Sequence, residues 1–168
     1  MKVHYAGLIK NDMVDGQGFV VSYWAQGCPL HCQGCHNPQT WDPNGGIEIE
    51  FEDLMKEILE AISANGITRN FSILGGEPFA SYNLTTTTSM VDIVRLHYPD
   101  IKIYIWTGFL YEDIVRSAAS GILPKIDVLI DGAFNMSQRD VTLKLRGSKN
   151  QRIIDVPQSL KENRVITL

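Results

Sequence analysis

The chain has no apolar run approaching the ~20 residues that span a bilayer. Met1-Lys2-Val3-His4-Tyr5 is not followed by the long apolar core and small-residue cleavage site of a signal peptide. Both absences point to the cytosol. Positive charge is also thin: 15 Lys and Arg, scattered, face 19 Asp and Glu, for a net charge of -4. That argues against a nucleic-acid partner, because phosphate binding calls for a basic face. Cysteine is scarcer still. There are three in 168 residues, an odd number, all between Cys28 and Cys35. A disulfide scaffold would spread an even number along the chain. Internal repeats, linkers and low-complexity stretches are missing as well, apart from the tract Thr85 to Thr88.

What remains is an ordinary globular composition, 44% hydrophobic and 20% charged, in a length that suits one domain spanning residues 1–168 with its own core. The pattern alternates strand and helix. Phe19 to Trp24 is aromatic and β-branched between glycines, and reads as a strand. From Phe51 to Ala64, apolar residues recur at helical spacing (Phe51, Leu54, Met55, Ile58, Leu59, Ile62) until Asn65-Gly66 ends the helix. Phe71 to Leu74, Ile101 to Trp106 and Ile126 to Ile130 read as buried strands. Tyr82 to Leu96 and Tyr111 to Ala119 read as the helices between them. Ile153-Ile154 and Val165-Ile166 are candidates for short terminal strands, and Leu143 to Asn150 has no regular pattern.

Such alternation predicts an α/β fold with a mainly parallel sheet, whose ligands sit beyond the carboxyl ends of the strands. Four loops follow those ends: Ala25 to Gly46, Gly75-Gly76-Glu77-Pro78, Thr107-Gly108 and Asp131-Gly132. The first is too long for an idle connection, and it holds all three cysteines.

Gly27-Cys28-Pro29-Leu30-His31-Cys32-Gln33-Gly34-Cys35-His36-Asn37 spaces its thiols by four and three residues, so one short loop can wrap them around a compact centre. An iron–sulfur cube usually takes four cysteines. With three, one iron keeps a vacancy that a substrate can fill, as in a catalytic zinc site. Three other readings use the same residues. One is a structural zinc site with His31 or His36 as fourth ligand, although such sites commonly draw on two distant segments. Another is a redox dithiol at Cys32 and Cys35, which leaves Cys28 unexplained. The last is three unrelated buried cysteines, which a polar loop disfavours.

C-x-x-x-C-x-x-C after a first strand resembles the radical S-adenosylmethionine superfamily. The resemblance implies a [4Fe–4S] cluster held by Cys28, Cys32 and Cys35, with the methionine amino and carboxylate groups of S-adenosylmethionine on the open iron. It implies reductive cleavage of that cofactor to a 5′-deoxyadenosyl radical. The superfamily usually carries an aromatic residue just before the third cysteine. Here that position is Gly34, and His36, on the other side of Cys35, is the candidate to lie along the nucleoside together with Gly34.

Leu74-Gly75-Gly76-Glu77-Pro78 resembles the superfamily's G-G-E-P motif, which binds the methionine amino group. Glycines let backbone approach a ligand closely, Glu77 can accept from an ammonium, and Pro78 fixes the chain direction. Gly75, Gly76, Glu77 and Pro78 are therefore expected at the cofactor. Asp15-Gly16-Gln17-Gly18 reads as a turn, as does Asp131. Related activating enzymes carry a cation site where an Asp precedes a Thr; Trp106 stands there before Thr107.

Arg146-Gly147-Ser148-Lys149-Asn150-Gln151-Arg152 is a polar, basic run. With Cys-His-Asn, Thr40-Trp41, G-G-E-P, W-T-G and V-L-I-D-G in matching order, it is similar to the family that activates anaerobic ribonucleoside-triphosphate reductases. The similarity runs from about Asp15 to Arg152. It implies an incomplete TIM-type barrel of mainly parallel strands with outer helices. A full eight-stranded barrel averages about 250 residues; a shorter one leaves its active side open to a loop of a protein substrate. It also implies that the partners are the large catalytic subunit of the reductase, which receives a glycyl radical, and a flavodoxin-type electron donor, with Arg146 to Arg152 contacting the reductase. Activation of another glycyl-radical enzyme, deazapurine synthesis, and a non-catalytic zinc-binding module are the alternatives. His4, His31 and His97 have no evident partner in the sequence.

Overall fold

A computed structural model describes residues 1–168. In chain order the elements are β1 (Lys2–Asp12), β2 (Val20–Ala25), β3 (Ile47–Glu50), α1 (Phe51–Ile62), β4 (Asn70–Gly75), α2 (Ser81–His97), β5 (Ile103–Trp106), α3 (Tyr111–Val115), β6 (Val128–Asp131), β7 (Arg152–Asp155) and α4 (Val156–Glu162). All seven strands form one sheet in the order β3-β1-β2-β4-β5-β6-β7. The four central strands β2, β4, β5 and β6 run parallel. Antiparallel strands flank them: β1 with β3 on one side, β7 on the other.

Side chains alternate across the sheet with period two. Val21, Tyr23 and Ala25 of β2, Phe71 and Ile73 of β4, and Ile103 and Ile105 of β5 enter a 29-residue core shared with the helices. Their neighbours Ser22, Trp24, Ser72, Leu74, Tyr104 and Trp106 point to the opposite face, where Tyr104, Val128 and Ile130 form a small second cluster. The polar-looking break in each strand is thus the second face rather than a strand end.

Helix α1 forms as its spacing predicts, burying Phe51, Leu54, Met55, Ile58, Ala61 and Ile62. Its last carbonyls are satisfied by Arg69, a residue only 4% exposed. Arg69 Nη1 donates to the carbonyls of Ala61, Ala64 and Ile67, while Nε and Nη2 donate to Asn11 Oδ1. A cation at a helix C-terminus also complements the helix dipole.

The structure departs from the sequence pattern in several places. Strands β1 and β3 were not expected; both mix polar and apolar residues because their exposed faces are charged, as in the pairing of Lys2 with Glu50 and His4 with Glu48. The helix expected to reach Ala119 stops at Val115 and continues as a 3-10 segment from Ala118 to Lys125. Asp155 caps α4, accepting from the Gln158 amide at 3.0 Å, and Pro157 stands in its first turn. Val165-Ile166 is not a strand; only the bridge Ile154 to Thr167 forms there, after Asn163 turns the chain with φ of 53°.

Tyr5 of β1 stands opposite Ala25 on one side and opposite Ile47 on the other. These two residues begin and end the cysteine-bearing segment, so the sheet itself holds both ends of that loop. No helix is long and apolar enough to cross a membrane.

Candidate functional site

The cysteine loop leaves β2 and folds back on itself. The Gly27 amide donates to the Thr40 carbonyl at 2.7 Å and the Cys28 amide to the Trp41 carbonyl at 3.1 Å. Gln26, buried, donates from Nε2 to the carbonyls of Gln39 and Asp42. Cys32 to Cys35 is a turn closed by the Cys35 amide on the Cys32 carbonyl at 3.1 Å, with Gly34 at φ of 75° in its third position. Such a turn requires positive φ there. A Cβ on Gly34 would also lie 2.6 Å from Met136 Sδ. The missing aromatic at this position therefore has a backbone cause.

All three cysteines are free and half-buried, and all three line one cleft of about 220 Å³ at the carboxyl ends of the parallel strands. His36, Gly75, Gly76 and Glu77 line the same cleft; Gly34 and Pro78 lie outside it. Pro78 instead anchors α2, its carbonyl accepting from Thr87 Oγ1 at 2.7 Å. The cleft walls also include Trp24, Leu30 and Phe134, which no motif singled out, with Asn37 of Cys-His-Asn and Gly147 and Gln151 of the basic run. Trp24 and Trp106 were legible as strand residues, and their alternation with buried neighbours is the signal that places them on the cleft face. His36 and Phe134 rings meet at 5.7 Å.

Gly75 and Gly76 are held against the end of β2. The Gly76 amide donates to the Ala25 carbonyl at 2.9 Å and the Glu77 amide to the Gly27 carbonyl at 2.8 Å. A Cβ at Gly76 would collide with the Gly27 carbonyl oxygen. This close approach brings the G-G-E-P loop to the cysteine loop.

Glu77 is 1% exposed. Its Oε1 accepts from the Phe79 amide at 3.0 Å and Thr107 Oγ1 at 2.8 Å; its Oε2 accepts from the Gly108 amide at 2.7 Å. Burial pushes its carboxyl up to about 7 against the pull of those three donors. No Lys, Arg or His of the chain pairs with it. A carboxylate has about four lone-pair sites, so one stays free on a group that lines the cleft. A buried carboxylate without a cation is costly to ionise, so a cation brought by a ligand would favour its charged form.

Burial also pushes the Cys28 thiol up, with the Glu77 charge adding to it; a bound cation reverses that effect and favours thiolate. The Asn37 amide donates to Cys35 Sγ at 3.4 Å. No three His, Cys, Asp or Glu side chains converge as a single metal ion would need. A tetrahedral zinc draws its sulfurs to about 2.3 Å from one point. A cube bonds each sulfur to a different iron, and a donor set of three free thiols lining one cleft fits an iron–sulfur cluster.

Asp131 is no turn residue. It closes β6, is fully buried, and pairs with Arg152, whose Nε and Nη2 donate at 3.0 and 2.6 Å. Asp131 Oδ2 also accepts from the Tyr111 amide at the start of α3. Arg152 reaches Glu112 at 3.0 and 2.8 Å as well. The basic run is accordingly a folded knot rather than a free loop: Gln151 Oε1 accepts from the Gly147 and Ser148 amides, and Gln151 Nε2 donates to the Gly132 carbonyl. Arg152 is half-buried, and its guanidinium is engaged by Asp131 and Glu112. His31 stacks on Trp41 at 4.4 Å, and His4 meets the Gly45 carbonyl at 3.0 Å, so both histidines have partners.

Residues 14–154 match the family model described as a 4Fe-4S single cluster domain. Three curated relatives, each named anaerobic ribonucleoside-triphosphate reductase-activating protein, are similar over most of the chain. The one from Haemophilus influenzae is 33% identical over 153 residues, 90% of this chain and 97% of the relative. The one from Vibrio cholerae is 35% identical over 142 residues, 84% and 91%. The one from Escherichia coli is 30% identical over 141 residues, 83% and 90%.

Proposed function

The chain belongs to the family of anaerobic ribonucleoside-triphosphate reductase-activating proteins, and from that premise we propose that it is a radical S-adenosylmethionine activase of such a reductase. The observation that carries this reading is one cleft lined both by three free cysteines and by a buried carboxylate with no cation of its own. Cys28, Cys32 and Cys35 hold a [4Fe–4S] cluster. Glu77, with the backbone of Gly75 and Gly76, receives the methionine ammonium of S-adenosylmethionine. When bound, the two groups supply one-electron chemistry that ends in a glycyl radical on the reductase.

The chain's own residues bind, orient and exclude water. The Thr107 hydroxyl and the Gly108 and Phe79 amides fix the Glu77 carboxylate before the ligand arrives, so little reorganisation is needed on binding. Trp24, Trp106 and Phe134 wall the cleft with apolar surface, which strengthens electrostatic contacts inside it. His36, which lines the cleft, lies toward the nucleoside, whereas Gly34 stands outside the cleft and shapes the turn.

The sheet acts as an incomplete TIM-type barrel with its helices outside, within one domain. The face carrying Trp24 and Trp106 is then the inner one, open at the side to a segment of the large reductase subunit. A flavodoxin-type protein supplies the electron, in the cytoplasm. The zinc-module alternative loses ground because the family model that matches residues 14–154 is a 4Fe-4S single cluster domain.

The test is anoxic reconstitution with iron and sulfide, then mixing with the reductase, S-adenosylmethionine and a reductant. The expected result is 5′-deoxyadenosine together with a glycyl radical signal by electron paramagnetic resonance. One equivalent of zinc with no iron-dependent spin signal overturns the reading.

A further inference from the structure

Asn83 stands in the first turn of α2, where an asparagine adds little to helix stability. Its side chain serves two loops instead. Asn83 Nδ2 donates to the Gln26 carbonyl at 2.9 Å and to the Glu77 carbonyl at 3.0 Å, with the Gly27 carbonyl further off at 3.4 Å. Carbonyl oxygens only accept, so the amide nitrogen is the atom that must face them. That nitrogen has two protons. One goes to Gln26, two residues before Cys28; the other goes to Glu77 itself.

Both acceptors belong to well-held segments. Gln26 is buried, and its own amide is spent on the Gln39 and Asp42 carbonyls. The two backbone bonds that join the loops run to the carbonyls of Ala25 and Gly27 and pass over Gln26, whose carbonyl Asn83 takes. Tyr82, next to Asn83, lies against Gly27: a Cβ there would meet Tyr82 Cε2 at 2.5 Å. The start of α2 thus covers the entry to the cysteine loop with Tyr82 and ties it to the G-G-E-P loop with Asn83. Thr107 and Gly108 orient the Glu77 carboxylate from the β5 side, but their donors do not reach the cysteine loop.

We propose that Asn83 is a positioning residue, which fixes the spacing between Cys28 and the Glu77 carboxylate and hence the span that S-adenosylmethionine must bridge between cluster and carboxylate; this rests on the activase reading above. A ligand held at two points gains from both only when their spacing matches it. The backbone bonds bring the two loops together, and the Asn83 amide, set off to one side of them, stops one loop from pivoting on the other. Asn83 touches neither cysteine nor carboxylate; it acts through the backbone that carries them.

The test measures S-adenosylmethionine affinity of the reconstituted holoprotein by anoxic equilibrium dialysis, with the cluster oxidised so that the ligand is not cleaved. Asn83→Ala removes both bonds, and alanine favours the helix, so α2 forms without the amide. Asn83→Ser keeps a single donor and takes its place in the series if Asn83→Ala loses iron. Glu77→Ala removes the carboxylate and leaves the carbonyl that Asn83 holds. Combining Asn83→Ala with Glu77→Ala closes a double-mutant cycle. Thr87→Val is the control: it cuts a bond from the same helix to Pro78 that does not involve the cysteine loop.

Asn83→Ala is expected to keep its iron and to weaken the ligand about tenfold or more, since a small misplacement of a binding group is costly. In the Glu77→Ala background the same change should alter affinity by no more than about twofold, because no carboxylate is left to place. Thr87→Val should also stay within about twofold of the original protein. Additive losses in the double variant overturn the proposal, as does an Asn83→Ala affinity equal to the original. An equal loss in Thr87→Val overturns it too, because the effect would then be a general loosening of α2. If the original holoprotein takes up its cluster and does not bind S-adenosylmethionine, the activase reading itself fails and the proposal falls with it.

Discussion

Glu77 and Thr107 are joined through the Thr107 hydroxyl, which donates to Glu77 Oε1 at 2.8 Å with both residues buried. The contact locks the loop after β4 to the loop after β5. Replacing Glu77 with Ala strands the Thr107 hydroxyl and the Gly108 and Phe79 amides. At about 1–3 kcal/mol for a buried group left unsatisfied, the midpoint of thermal unfolding should fall by several degrees. S-adenosylmethionine affinity should fall at least about tenfold while the iron content stays the same, measured by equilibrium dialysis and iron assay. A drop in iron content at unchanged cofactor affinity would contradict the role given to Glu77.

Replacing Cys28, Cys32 or Cys35 singly with Ala should abolish 5′-deoxyadenosine formation. Product analysis by chromatography after anoxic reconstitution checks this. One fully active single variant is enough to refute cluster ligation by the triplet.

Gly34→Tyr restores the aromatic residue that the superfamily usually has before its third cysteine, and it should nonetheless be harmful. A side chain at φ of 75° is strained, and its Cβ meets Met136 Sδ at 2.6 Å. Strain of this kind costs about 1–3 kcal/mol, and iron incorporation should drop with it. Incorporation equal to the original protein would show that the turn can reshape.

Arg152→Met leaves Asp131 buried without its cation. Breaking one side of a buried pair costs about 3–5 kcal/mol, which denaturant unfolding reads as a shifted midpoint. Adding Asp131→Asn to Arg152→Met should recover part of that loss, since an amide costs less to bury than a lone carboxylate. No recovery in the double variant would mean that the pair acts through shape alone.

Asp12 and Asp15 share hydrogen-bonded burial below the parallel strands, with Ser22 Oγ on Asp12 Oδ2 at 2.6 Å. Burial and the neighbouring Asp12 push the Asp15 carboxyl up to about 7, from an ordinary 3.8. Between those values the folded chain keeps a proton that the unfolded chain has lost, so stability declines as pH rises through this window. Asp12 is shifted the other way, and its contribution disappears as pH falls below 3.8. Asp15→Asn should flatten the decline between about pH 4 and pH 7 in thermal unfolding; an unchanged slope would assign it elsewhere.

Much of the centre of this molecule could be read from residue order. The strands through Tyr23, Ile73, Ile105 and Leu129 are uniformly buried, and helix α1 announces its face by spacing alone. Cys28 to Cys35 and Gly75 to Glu77 stand out because few other roles explain those residue types so close together. The flanks were harder. Strand β1 has one core-facing side and one charged side plus a register shift between Tyr5 and Gly7, which breaks the alternation that marks a strand. Asp131 looked like a turn because Gly132 follows it; its partner Arg152 lies 21 positions later, and local patterns carry no information at that distance.

Tyr5 remains the quiet centre of the cysteine-bearing segment, because the strands on both sides of it clamp Ala25 and Ile47. The ends of that loop are fixed by ladder pairing, so its closure entropy is met by folding and not by cluster assembly. On the activase reading, a chain stripped of its cluster should keep its sheet folded and take up iron and sulfide again under anoxic conditions.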